Sequence, residues 1–261
     1  MMSQRARAGA VRAADLELER LGEGPPVLFI HGTVVDARST WRKQRTLAER
    51  WRLIIPNRPG FGRSPPLERN DFEIEAPLFA ELLGDGAHLV GHSYGAVIAL
   101  LAAAERPEAV RSLTVSEPGA LRLAEGTPVV DDMIANGARL FREGAAIPND
   151  TFLRLFRFGA GSSRATPGQL PEELVRGVEL LKSERPSWEA DIPLKRLAAT
   201  DFPVLVLSGG HSAAFEAVCD ALAAPLAAER DVITGRGHTI PSTGLPYNER
   251  LEAFLRTAES R

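Results

Sequence analysis

The sequence predicts an α/β fold, a mostly parallel, doubly wound sheet carrying a helical insertion. Three observations predict it. Short, continuous apolar runs bounded by turn residues recur along the chain, as strands buried on both faces of a sheet require. They alternate with helix-like stretches, which selects parallel strands joined by crossover helices. The rhythm then breaks between Gly119 and about Lys195, where no buried strand is readable. Residues 1–118 and 196–261 are therefore assigned to the core, and 119–195 to a helical lid, or cap, inserted into it.

The elements follow in order. Val11 to Leu21 alternates weakly and reads as an edge strand; Val27-Leu28-Phe29-Ile30 is the first buried strand, ending at His31-Gly32. Thr40 to Arg50 reads as a helix and Trp51 to Pro56 as a strand. Asp71 to Leu83 reads as a helix despite Pro77, Ala87 to Val90 as a strand, and Gly95 to Arg106 as a small-residue helix. Val110 to Ser116 is a fourth core strand. Within the insertion, Pro128 to Phe141 and Pro171 to Ser183 are helix-like. Phe202 to Ser208 is a fifth core strand and Asp231 to Thr234 a short last one; helices Ala213 to Ala228 and Pro246 to Thr257 complete the alternation.

The totals fit one such domain. The chain has 261 residues, 44% of them apolar, enough for a core that needs no disulfide or metal. A net charge of −3 gives no electrostatic case for nucleic acid or an anionic membrane as partner. One cysteine, Cys219, forbids an intramolecular disulfide and fits a reducing compartment. Met1 to Ala10 carries Arg5 and Arg7 with no apolar run behind them, so it reads as a frayed arm and not a signal peptide. The longest apolar run, Ala96 to Ala104, is far short of the ~20 residues that span a bilayer. A cytoplasmic location is expected.

Gly91-His92-Ser93-Tyr94-Gly95 lies between a buried strand and a helix. That is the setting of a nucleophile elbow, a strained turn that lifts a serine hydroxyl above the sheet. A serine hydroxyl needs a base to take its proton. Of five histidines, His238 lies in a loop between the last strand and the last helix, at the same sheet end as Ser93. His88 reads as core or edge, His92 as packing beside Ser93, His31 as holding the loop beneath the site, and His211 as loop filler with a substrate contact as the alternative. The imidazole needs an acid to orient it. The loop Ser208-Gly209-Gly210-His211-Ser212 holds no carboxylate, whereas Glu117 sits at the end of the preceding strand. Glu117 is the expected third member; the rival readings are a structural carboxylate at the strand end, or Glu216 or Asp220 in the role. Backbone amides can hold an oxyanion; Tyr94, at a helix start, and Thr33, after the first core strand, are the expected donors, with Val34 second to Thr33.

His31-Gly32, Arg58-Pro59-Gly60-Phe61-Gly62-Arg63-Ser64, Gly91-His92-Ser93-Tyr94-Gly95 and Gly237-His238 stand in this order along the chain. In this the chain resembles the α/β-hydrolase superfamily, most of all its single-domain, lid-bearing esterase, lactonase and cofactor-free perhydrolase-like members. The resemblance implies an α/β-hydrolase fold and a Ser–acid–His triad. Two departures stand out. Members most often place the acid after the strand ending here at Leu207; some, certain haloalkane dehalogenases among them, resemble this chain in having it at the position of Glu117. Asn57 stands where an Asp is common. Ser93, in place of an Asp nucleophile, argues against epoxide hydrolase or dehalogenase chemistry.

The expected reaction is acyl transfer from a small or medium carboxylic ester or lactone through an acyl-enzyme. Phe141, Phe152, Phe156 and Phe158 are candidate pocket walls, with lid core as the equal alternative. No metal-ligand spacing and no dinucleotide fingerprint is present, so neither metal nor cofactor is expected. C–C bond hydrolysis or a lyase reaction on the same triad is one rival; a non-catalytic ligand-binding or receptor member of the fold is another. The oligomeric state is left open.

Overall fold

The computed structural model describes residues 11–161 and 166–261. The expected N-terminal arm, Met1 to Ala10, lies outside the described residues. After a 3-10 turn at Ala13–Asp15 come strand β1 (Leu18–Leu21) and strand β2 (Pro26–Ile30). Then follow α1 (Ala37–Thr40), β3 (Arg52–Pro56), α2 (Phe72–Leu82), β4 (Ala87–His92), α3 (Tyr94–Glu105) and β5 (Val110–Ser116). Helices α4 (Pro128–Glu143), α5 (Asn149–Gly159), α6 (Glu172–Ser183) and α7 (Leu194–Leu197) separate β5 from β6 (Val204–Ser208). The chain closes with α8 (Ala213–Ala223), β7 (Glu229–Val232) and α9 (Leu245–Glu259).

The seven strands lie in the order β1-β3-β2-β4-β5-β6-β7. Only the edge strand β1 runs antiparallel, against β3; every other pairing is parallel. Alternate side chains of the central strands feed two cores, one on each face. Leu28, Ile30, Leu113, Val115 and Val206 pack with α2 and α3 residues such as Phe79, Ile98 and Leu100. Val27, Phe29, Val90, Leu205 and Leu207 pack with Trp41, Tyr247, Leu251 and Phe254. Burying a strand on both faces is what makes its sequence continuously apolar.

Three expectations change. The edge strand is shorter than Val11 to Leu21, because Arg12 and Asp15 bond each other across a 3-10 turn. Thr40 to Arg50 is not one helix: α1 ends at Thr40, and Gln44–Glu49 winds as a 3-10 helix. Gln44 is fully buried and donates to the Pro241 carbonyl and Asn248 Oδ1. These distant anchors override the local preference for an α-helix. Helix α8 stops at Ala223, short of Pro225, whose missing N–H cannot continue the ladder. Among the described residues, no helix is long and apolar enough to cross a membrane.

Helices α4 to α6 sit on the loops that follow the parallel strands. Phe152, Leu153, Val178 and Leu181 bury their side chains together with Val34, from the loop after β2. The sequence missed α5 as a helix. Its pattern is strongly amphipathic, with Phe152 and Leu153 buried and Arg154 and Phe158 turned outward.

Candidate active site

Ser93 follows the last residue of β4 and precedes the first of α3. Its backbone is held at φ 57° and ψ −119°, a conformation that L-residues rarely adopt. Strand and helix meet so tightly that Gly91 and Gly95 have no room for a side chain. A Cβ on Gly91 would lie 2.5 Å from the Gly95 carbonyl oxygen, and one on Gly95 2.3 Å from that of Ile30. The Ser93 amide donates to the Ser116 carbonyl at 2.9 Å, tying the elbow to β5.

Glu117 occupies the matching place one strand over. The β4–β5 register ends on His92 opposite Ser116, so Ser93 and Glu117 each stand one residue beyond it. Glu117 too has a positive φ, 49°. Its carboxylate is completely buried, and its amide donates to the Leu207 carbonyl at 2.9 Å.

His238 joins the two. Ser93 Oγ–H donates to His238 Nε2 at 2.9 Å, and His238 Nδ1–H donates to Glu117 Oε2 at 3.0 Å. The other carboxylate oxygen, Oε1, accepts the Gly209 amide at 2.5 Å. The loop after β6 thus supplies no carboxylate of its own but holds that of Glu117, at the end of β5. Both rivals are engaged elsewhere. Glu216 accepts from Ser208 Oγ and the Gly210 amide, and pairs with Arg230; Asp220 also pairs with Arg230.

His92 steadies the His238 loop from beneath. Its Nε2–H donates to the His238 carbonyl at 2.8 Å, and burial pulls its pKa down to about 4, so it stays neutral. His31 is also a scaffold group. It accepts the Arg58 amide on Nε2, and burial and the Arg58 charge hold its pKa well below the ordinary value. His88 lies deep between Ser112 and Glu259, and its ring touches neither Ser93 nor His238.

Gly32 lies against the elbow; a Cβ there would sit 3.0 Å from the Ser93 Cβ. Thr33 follows it, and Val34 takes φ 73°. Tyr94 opens α3, where the first amides have no acceptor within their own helix. The two expected oxyanion donors therefore flank Ser93 from the β2 loop and from its own helix.

The four phenylalanines divide. Phe141 packs against Phe152, Phe156 and Trp188, with ring centroids 5.7, 6.3 and 5.2 Å away. Phe152 is completely buried among the helices and belongs to their core. Phe158 is no pocket wall: it is 81% exposed, on the outward side of α5.

Two features were not legible in sequence. Arg58 is completely buried and bonds both Glu75 oxygens at 2.8 Å, Glu184 Oε1 at 2.5 Å and the Gly32 carbonyl at 3.0 Å. Its guanidinium also lies 4.1 Å from the centroid of the Tyr94 ring. Burial pushes the Glu184 carboxyl up to about 7 against the pull of Arg58. The second feature is His211, whose ring stacks on Phe215 and whose Nδ1 lies 3.7 Å from Glu117 Oε1.

The profile of the Alpha/beta hydrolase family matches residues 27–257. Among curated relatives, a pimeloyl-[acyl-carrier protein] methyl ester esterase of Aeromonas salmonicida is 33% identical over 38% of this chain and 39% of its own length. Lipase LipV of Mycobacterium tuberculosis is 32% identical over 69% of this chain and 68% of its own length. The chain spans about two fifths of the first curated relatives it matches. A solved alpha/beta hydrolase from Sphaerobacter thermophilus superposes with a TM-score of 0.68 at 23% identity, covering 92% of this chain and 96% of that one, which shows the fold. Fold and profile agree over nearly the whole chain, which belongs to the alpha/beta hydrolase family.

Proposed function

We propose that this chain is a serine hydrolase of small or medium carboxylic esters or lactones, working through an acyl-enzyme. The observation that carries the reading is the unbroken relay from Ser93 Oγ through His238 to a buried Glu117, with bonds of 2.9 and 3.0 Å. Relatives bearing esterase and lipase names support the substrate class.

His238 takes the Ser93 proton on Nε2 as Oγ attacks the carbonyl carbon. Glu117 fixes the tautomer and stabilises the imidazolium that forms. The Thr33 and Tyr94 amides hold the oxyanion; losing one such donor typically costs ~3 kcal/mol of transition-state stabilisation. His238 then protonates the leaving alcohol, which departs as the carbonyl re-forms. Water, deprotonated by His238, attacks the acyl-enzyme, and the carboxylic acid leaves as Ser93 recovers its proton. Residues 119–195 act as the cap over this site, and Phe141 and Phe156 line its acyl side.

The test is labelling by a fluorophosphonate together with hydrolysis of aryl esters and lactones of graded chain length. Wild type should label at Ser93 and turn over the shorter members, and Ser93→Ala should do neither. Undiminished turnover by Ser93→Ala would sink the reading.

A further inference from the structure

Glu117 is faced by two imidazoles. His238 Nδ1 is 3.0 Å from one carboxylate oxygen, and His211 Nδ1 is 3.7 Å from the other. The two rings meet edge to face with centroids 6.2 Å apart. One donor atom from each of the three residues lies within 4.8 Å of the other two.

The tautomer of His211 follows from its other nitrogen. Nε2 lies 3.0 Å from the Ala160 carbonyl, which can only accept, so Nε2 carries the proton. Nδ1 of the neutral ring is then a bare lone pair. It is buried, has no hydrogen-bond partner among the described residues, and faces another acceptor, the Glu117 carboxylate. Leaving such an atom unmatched is costly, and a cation between the two acceptors would satisfy both.

We propose that Glu117, His211 and His238 form an inhibitory site for a zinc-type divalent cation. Two imidazoles and a carboxylate are a donor set suited to zinc, and a tetrahedral ion with bonds of about 2.1 Å holds its donors about 3.4 Å apart. Here His238 Nδ1 lies 3.0 Å from Oε2 and His211 Nδ1 3.7 Å from Oε1, and one donor from each residue falls within 4.8 Å of the others, so a small inward turn of the side chains brings three donors to that spacing. Both histidine side chains keep some solvent exposure, 16% for His238 and 11% for His211, so the two rings stand at the edge of the buried carboxylate.

Occupancy stops the reaction through proton position, on the reading above that His238 is the base. The free His238 ring carries its proton on Nδ1 and offers bare Nε2 to Ser93. A cation on Nδ1 leaves the neutral ring with its proton on Nε2, so the ring keeps one proton and loses its function as base. His211 contributes a lone pair that was already free, and Glu117 exchanges a hydrogen bond for a metal bond. Serine, elbow and cap remain as they were. His211 has no part in the uninhibited reaction.

The experiment pairs inhibition with direct binding. Wild type is assayed at pH 8 on an aryl ester with rising zinc, with magnesium as control and a chelator to reverse the effect. Cobalt(II) is bound separately to Ser93→Ala, and its visible absorption reports a four-coordinate nitrogen–oxygen site without turnover. The expected result is reversible inhibition by zinc alone and visible cobalt bands in Ser93→Ala. Replacing His211 by Ala, or by Phe to keep the stack on Phe215, should raise the half-inhibiting zinc concentration on the order of 100-fold. The same variants should keep the metal-free rate and lose the cobalt bands. Zinc inhibition unchanged in both His211 variants, or no cobalt bands in Ser93→Ala, overturns the proposal. Absence of ester turnover in wild type would count against the hydrolase reading alone, because the cobalt measurement still decides the site.

Discussion

Gly177 of α6 lies flat against the carbonyl of Val34: a methyl group on Gly177 would come within 1.8 Å of that oxygen. The cap therefore touches the backbone of the loop that also carries Thr33. A glycine inside a helix ordinarily costs about 0.5–1 kcal/mol relative to alanine. Here the sign reverses. Gly177→Ala should destabilise the protein by about 1–3 kcal/mol, as overpacking does, and should lower kcat by displacing the Thr33 amide. Thermal unfolding and steady-state kinetics check both parts.

Glu117→Gln keeps the shape of the side chain but removes the charge that favours Nδ1–H on His238. Turnover should fall by about 10³–10⁴-fold with KM nearly unchanged, the pattern of a lost tautomer. An unchanged kcat would clear Glu117 of the role.

Ser93 stores strain at φ 57° and ψ −119°. Glycine relieves it, so Ser93→Gly should be inactive yet more stable than wild type by about 0.5–2 kcal/mol. Equilibrium denaturation gives the sign directly.

The buried Glu184 carboxyl, raised to about 7 by burial, sits well above its ordinary 4.5. Between those values the folded chain holds a proton that the unfolded chain has released. Stability from this group is thus full below about 4.5, falls as pH rises towards 7, and is constant above. Glu184→Gln keeps the neutral partner for Arg58 at every pH, so its melting temperature should lose the decline between about pH 4.5 and 7. Arg58→Met should instead cost about 3–5 kcal/mol, because it strands two buried carboxyls.

Phe152 and Phe158 should behave as opposites. Phe152→Ala opens a cavity among α4, α5 and α6 and should cost about 3–5 kcal/mol in thermal or chemical denaturation. Phe158→Ala removes an exposed ring and should leave kcat/KM and melting temperature unchanged.

What was legible in the sequence had a local cause. Ser93 and His238 stand out because strand, glycines and helix surround the one, and a short loop after the last strand carries the other. Glu117 was legible only by contrast with the carboxylate-free loop after β6. The buried Arg58 network was not, since its partners lie 17 and 126 residues away and ordinary surface ion pairs have the same composition. His211 read as loop filler because nothing in its neighbours shows that the ring turns back onto Glu117. Helix α5 escaped because Phe and Arg crowd its sequence, and its regularity comes from packing on Phe141 and Ile147.

The hydrogen bond from the Gly209 amide to Glu117 gives the negative charge two addresses in this scaffold, one strand spacing apart. The loop after β6 brings no carboxylate of its own and grips that of Glu117. Glu117 is thus anchored at both ends by a neighbouring strand and its loop, its amide on the Leu207 carbonyl and its carboxylate under the Gly209 amide, so a shift of β6 would be felt at His238.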